Sequence, residues 1–217
     1  MADVLTQKGQ FVEIDFTAKI KQSGEIFDTT IKEEAKKANL PSERVRPIVV
    51  CIGEGMLLKG FDKALEGKEI GKEYSVEVPS KEAFGERLAS MIKIIPLKIF
   101  QQKGIMPYAG LSLNMDGVVV RISAVSGGRV IADFNHPLSG KDLVYMFKIR
   151  KIVMDDKEKL SSLVETFLRE DPSKAIKSLD GKKAVIKSAN KLPKNFIDDI
   201  SGRILKLTGI SAMIESA

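Results

Sequence analysis

The sequence predicts an α+β fold, with strands first, a β-rich middle and a C-terminal αβαβ module. Three observations carry this. Apolar residues alternate with period two at Phe11–Ile20, Glu73–Val78 and Leu143–Val153, the mark of half-buried strands. Between them, residues 88–135 are nearly stripped of charge. After Asp155-Asp156 the pattern switches to a helical period, with Leu160, Leu163, Val164, Phe167 and Leu168 on one face.

In chain order, Phe11–Ile20 is the first strand, because Val12, Ile14 and Phe16 alternate with Glu13 and Asp15. Gln22-Ser23-Gly24-Glu25 is a turn, and Ile26-Phe27-Asp28 begins the return. The charged stretch Lys32–Asn39 favours helix, and Pro41 stops it. Ile48–Ile52 is β-rich and closes at Gly53. Leu57, Leu58, Phe61 and Leu65 predict a short helix over Met56–Leu65, ended by Gly67. Pro79 stops the next strand, and Ser80–Gly85 reads as loop. Short β-rich pieces follow at Met91–Ile95, Leu111–Leu113, Gly117–Ala124 and Arg129–Phe134. The last third predicts a helix after Asp156, a short helix near Ser173–Leu179, a strand at Ala184–Lys187, a helix at Asn195–Leu207 and a strand at Ile210–Ile214.

Composition narrows the function. The 217 residues hold 35 Lys and Arg against 29 Asp and Glu, a net charge of +6, and 43% are hydrophobic. That excess is spread along the chain, whereas nucleic-acid binders concentrate Lys and Arg on one element; nucleic acid is not an expected partner. No apolar run reaches the 18 or so residues of a membrane helix, and Met1–Gln10 has no apolar stretch of the secretory kind. The single cysteine, Cys51, fits a reducing cytoplasm and a small buried hydrophobe. With one histidine, His136, no Cys/His metal cluster is expected, and no cofactor. In 88–135 only seven of 48 residues are charged while 26 are apolar, including Met91, Met106 and Met115. So short a segment buries little core, which leaves apolar surface accessible for binding polypeptide.

Catalytic templates are absent. No nucleophile elbow accompanies His136, and Gly53-Glu54-Gly55 with Lys59-Gly60 has neither Walker nor dinucleotide spacing. What remains is an ordered set: Phe16; Gly24-Glu25-Ile26-Phe27-Asp28-Thr29-Thr30; Ile52-Gly53-Glu54-Gly55-Met56-Leu57-Leu58-Lys59-Gly60-Phe61-Asp62; Leu65-Glu66-Gly67; and Glu82-Ala83-Phe84-Gly85-Glu86. At these residues the chain resembles the FKBP-type peptidyl-prolyl isomerases. Asp133-Phe134-Asn135-His136-Pro137-Leu138-Ser139-Gly140-Lys141-Asp142-Leu143 resembles the SlyD-like branch.

The resemblance implies a split isomerase domain at 1–87 and 136–154, its antiparallel sheet wrapped on a helix. It also implies an insert-in-flap chaperone domain at 88–135 and a C-terminal α/β domain at 155–217 of the kind long archaeal-type members append. By motif position the pocket wall would be Phe16, Phe27, Ile48, Leu57, Leu58, Phe61, Phe84 and Tyr145, with Asp28 its polar member. Phe61 stands where many members have Trp, and Phe84 where Tyr is usual, which removes a hydroxyl from the substrate carbonyl. Capture of unfolded or nascent chains is expected from Ile95, Phe100, Ile105, Met106, Tyr108, Leu113 and Met115. The implied activity is isomerisation of X–Pro bonds joined to chaperoning, with self-association through the C-terminal domain. The rival is a binding chaperone with little catalysis.

Overall fold

The computed structural model describes residues 5–42, 45–115 and 117–216. The described residues fall into two compact units: Pro79–Asp142, and the chain on either side of it.

The first unit is built on β1 (Phe11–Ile20), the strand with the clearest alternation. One edge of β1 pairs with β2 (Ile26–Thr29) and, further along, with β3 (Ile48–Cys51); the other pairs with β9 (Leu143–Ile152), which carries β4 (Glu73–Val78). Every pairing is antiparallel. Val12, Ile14 and Phe16 share a face with Tyr145, Phe147 and Ile149 of β9, and all are buried. Between β2 and β3 lies the short helix α1 (Lys32–Lys37).

Helix α2 (Lys59–Ala64) is shorter than Met56–Leu65. The residues before it form a loop in which Gly53 and Gly55 take φ of 79° and 71°, a conformation that excludes helix and suits glycine. Buried Asp62 accepts from the Gly53 and Gly55 N–H groups at 2.8 and 3.1 Å, so the helix holds its own entry loop. Met56, Leu57 and Leu58 therefore precede the helix.

The C-terminal segment begins with α4 (Asp156–Leu163), capped by Asp155, which accepts from Glu158 N–H at 2.8 Å. A π-helical turn (Val164–Leu168) leads to Arg169 at φ 55°, then to α5 (Pro172–Ala175). A three-stranded sheet follows in the order β10 (Ile176–Asp180), β11 (Lys183–Lys187), β12 (Ser211–Glu215), with the long helix α6 (Lys194–Thr208) as the crossover to parallel β12. Strand β10 corrects the helix expected near Ser173–Leu179: only the first turn is helical, and Ile176 and Leu179 pair with Ile186 and Ala184. The module shares one core with the first sheet. Leu160, Leu163 and Val164 pack in the same cluster as Phe11, Cys51 and Val153. Cys51 is fully buried there; burial first, then the charges of Glu54 and Asp62, push its thiol up to about 12, so it stays protonated and inert.

The second unit holds a four-stranded antiparallel sheet in the order β5 (Ile92–Pro96), β8 (Arg129–Asp133), β7 (Val118–Ser126), β6 (Ser112–Met115). A helix absent from the sequence reading, α3 (Leu97–Gln102), follows Pro96. Its Phe100 packs among Val120, Ile122, Val130 and Ala132, the buried centre of the sheet. The neck is a clasp. Arg87 donates to the Asp133 carboxylate at 2.6 Å, and Asn135 donates to it at 2.7 Å from its side chain and 2.9 Å from its backbone. Asn135 in turn bonds both backbone groups of Leu88. Burial alone would raise the Asp133 carboxyl; the Asn135 and Arg87 hydrogen bonds outweigh it and hold the group below the usual range.

Candidate active site

The pairing of β1 with β2 and β9 brings five rings together. Tyr145 stacks on Phe61 at 4.1 Å between centroids, Phe16 meets Phe61 edge-on at 5.5 Å, and Phe147 meets Phe61 at 5.3 Å. Phe27 stands edge-on to Tyr145 at 6.3 Å. Phe61 is only 1% exposed, so this cluster is held on all sides, and contacts at these separations favour a single arrangement of the rings.

Two of these rings, Phe16 and Phe27, also line a cavity of about 370 Å³, together with Asp28, Ile48 and the loop residues Leu40, Pro41, Val45 and Arg46. Two threonines that sequence reasoning passed over hold its rim. Thr30 Oγ1 accepts from Phe16 N–H at 2.8 Å and donates to Asp15 Oδ1 at 3.1 Å; Thr29 Oγ1 donates to the Phe16 carbonyl at 2.9 Å. The signal for them was the Asp-Thr-Thr run following an alternating strand. They tie the end of β2 across to β1 and so fix where Phe27 and Asp28 stand.

Asp28 is exposed at the cavity edge, and the protein packed around part of its carboxyl raises it above the usual value, partly offset by a hydrogen bond from the Thr29 backbone. Burial, and then the nearby Asp28 charge, raise the Tyr145 phenol as well. The site has one acidic group in apolar surroundings and, among the described residues, no cluster of three or more metal-ligating side chains.

The structure thus joins Phe16, Phe27, Asp28 and Ile48 in one cavity, whereas Phe61 and Tyr145 do not line it and adjoin it through their ring contacts with Phe16 and Phe27. Leu57 and Leu58 are half-buried in the loop leading to α2, where the Leu58 carbonyl accepts from Asp62 N–H at 2.8 Å. Phe84 lies in the second unit, its ring parallel to His136 at 4.4 Å. Ser139 Oγ donates to the Phe84 carbonyl at 3.2 Å.

In the second unit the residues expected to capture polypeptide divide. Phe100 is 1% exposed and belongs to the core, a correction that follows from α3, which turns it onto the sheet. Ile95, Ile105, Leu113 and Met115 are half-buried against that core. Met106 and Tyr108 are open to solvent at 81% and 63%. Ile94 and Val119, 65% and 54% exposed, lie on the sheet face opposite the core, and charge depletion alone did not single them out.

A β-wrapped helix beside an aromatic-lined pocket is the frame of the FKBP-type peptidyl-prolyl isomerases. Residues 3–99 match the profile of the FKBP-type peptidyl-prolyl cis-trans isomerase family, and residues 93–138 that of the FKBP26, IF domain. The chain is 33% identical over 150 residues to the short-type peptidyl-prolyl cis-trans isomerase of Methanocaldococcus jannaschii, covering 68% of this chain and 94% of the relative. It is 29% identical over 143 residues to the FKBP-type peptidyl-prolyl cis-trans isomerase SlyD of Haemophilus influenzae, covering 64% of this chain and 70% of that one. The chain belongs to the FKBP-type peptidyl-prolyl cis-trans isomerase family. Within it, the insert places the chain in the SlyD-like branch.

Proposed function

We propose that this isomerase acts on X–Pro bonds of unfolded or nascent polypeptides that its insert holds, in the cytoplasm and without a cofactor. The observation that carries the pocket assignment is the cavity formed by Phe16, Phe27, Asp28 and Ile48, whose two rings pack against the Tyr145–Phe61 stack. Rotation about an X–Pro amide faces a barrier of about 18–20 kcal/mol, because twisting removes the resonance of the planar bond. The planar amide is the more dipolar form. An apolar pocket stabilises it less than water does, whereas the twisted form loses little. No covalent chemistry is needed. A barrier lowered by about 4–7 kcal/mol gives roughly 10³–10⁵-fold acceleration. Asp28 is the polar group placed to meet the twisting carbonyl or to orient what meets it. In its raised-pKa setting it also titrates closer to neutrality than an ordinary carboxylate.

The insert supports the second half. Met106, Tyr108, Ile94 and Val119 offer exposed apolar surface on a small sheet, the flexible Met adapting to many sequences. Joining this surface to the pocket raises the local concentration of proline segments. Self-association through 155–217 rests on the exposed Phe196, Leu205 and Met213, and light scattering of the intact chain and of its Leu205→Glu, Met213→Glu variant checks it.

The experiment for the enzyme is turnover of a proline tetrapeptide. A rate above the uncatalysed one, reduced by Asp28→Ala with the fold intact, supports the assignment; no rate above background overturns it. The second reading, a binding chaperone with weak catalysis, is favoured by Phe84, which brings no hydroxyl to a substrate carbonyl. Suppression of aggregation without tetrapeptide turnover would establish it.

A further inference from the structure

Strand β3 is attached to the sheet by one edge. Its register with β1 pairs Val50 with Val12 and Ile48 with Ile14. The ladder continues through Ile52, whose N–H donates to the Gln10 carbonyl at 3.0 Å and whose carbonyl accepts from Gly9 N–H at 2.9 Å. In an antiparallel ladder, backbone groups alternate between the two edges, so Ile52, Val50 and Ile48 bond toward β1. Val49 is then turned outward, its N–H and C=O facing the edge with which no described strand pairs. The next outward N–H, that of Cys51, is taken by Met56 Sδ at 3.1 Å.

Along that edge runs a second cavity, of about 590 Å³. One side is Arg46, Pro47, Ile48 and Val49; the other belongs to the C-terminal module, with Ser161, Glu165, Pro172 and Ile176. It adjoins the proline pocket, since Arg46 and Ile48 line both. Arg46 is held at this junction by Glu165, its Nη2 lying 2.8 Å from each carboxylate oxygen.

We propose that this groove receives the extended polypeptide segment on one side of the proline, which pairs with Val49 as an added strand. The C-terminal module is thereby a wall of the substrate site. The inference rests on the assignment of the proline pocket made above. An added strand satisfies the Val49 donor and acceptor, and the apolar lining from Ile48, Val49, Pro172 and Ile176 takes alternate side chains. Of the acidic residues that line it, Glu165 is engaged by Arg46, Glu158 by Lys151 and Glu13 by Arg150, whereas Asp155 and Asp171 accept helix-cap hydrogen bonds and make no salt bridge among the described residues. Selection is therefore for extended backbone with apolar side chains, and against acidic ones, since five acidic residues line the groove beside Arg46 and Lys157.

The test compares, on the full chain, a proline tetrapeptide with a ten-residue apolar peptide containing the same four residues. The longer peptide is expected to show a kcat/KM higher by roughly fivefold or more, the increment coming from contacts outside the pocket. Ser161→Arg, which fills the groove from α4, should bring the ratio of the two back toward one. A ratio of one in the parent, or a ratio that Ser161→Arg leaves unmoved, overturns the groove. Loss of tetrapeptide turnover in the parent strikes the pocket assignment itself. A second readout needs no catalysis. The chain has no Trp, so Ser173→Trp on the groove rim is a lone tryptophan, excited selectively over the three tyrosines. Its emission should shift on titration with the ten-residue peptide and stay constant with the tetrapeptide; constancy with both contradicts the proposal.

Discussion

The two sheets use apolar residues in opposite ways. In the first unit, β1 and β9 bury Phe16, Tyr145 and Phe147 beneath a helix that adds Phe61, and Phe16 carries this packed cluster to the edge of the candidate cavity. In the insert, one sheet face encloses a core of five buried residues, and the other shows Ile94 and Val119 to solvent. The first surface is rigid because each ring touches several others. The second touches little, and can adapt to whatever chain arrives. Selective chemistry and unselective holding thus come from the same strand alternation, separated by whether a helix covers the face.

The largest effect that would break this comparison is at Phe61. Phe61→Ala removes the floor under Tyr145 and should cost about 3–5 kcal/mol in chemical denaturation, with loss of isomerase turnover. A cost comparable to that of a surface substitution would mean that the cluster is not the rigid element.

Next is the neck of the insert. Asp133→Ala leaves Arg87 and Asn135 without their shared acceptor and should destabilise the insert by about 1–3 kcal/mol, read by hydrogen exchange of β5 and β8. The Asp133 pKa is lowered on folding, so its contribution is present above the ordinary carboxylate pKa and is lost as pH falls through the lower folded value. Acid titration of the parent should show that loss, and Asp133→Ala should not.

Asp28 has the reverse sign. Its folded pKa is raised, so the folded state favours the protonated form and loses that advantage as pH rises through the raised value. Asp28→Asn should melt at or slightly above the parent at neutral pH, a difference that closes in acid, while tetrapeptide turnover falls. A variant that melts well below the parent would make Asp28 structural.

The smallest effect on stability is expected at the exposed insert positions. Met106→Ser with Tyr108→Ser should change unfolding by no more than about 0.5 kcal/mol per site. The same pair should weaken suppression of aggregation of an unfolded protein.

Much of the first unit was legible because its strands are half-buried and alternate, and because Phe16, Phe27, Asp28 and Phe61 sit in a motif order that composition alone would not reveal. What escaped the sequence has physical causes. Leu57 and Leu58 sit at helical spacing, but the Gly53–Gly55 loop and the Asp62 carboxylate start the helix later. Ile176–Asp180 carries too few apolar residues to announce a strand, and its partner β11 decides the matter. Phe100 belongs to a charge-poor stretch, and only the turn of α3 shows that it points inward. Thr29 and Thr30 act through bonds to the backbone of a strand a dozen residues earlier, which no local pattern encodes.

The most direct measurement runs two assays side by side on a variant with Ile94, Met106, Tyr108 and Val119 all replaced by serine: tetrapeptide isomerisation, and refolding of a protein limited by a proline isomerisation. The division of labour drawn above requires near-parental tetrapeptide turnover with refolding catalysis reduced by roughly tenfold or more, the effect of losing a tethered capture site. Equal loss in both assays, or undiminished refolding, would contradict it.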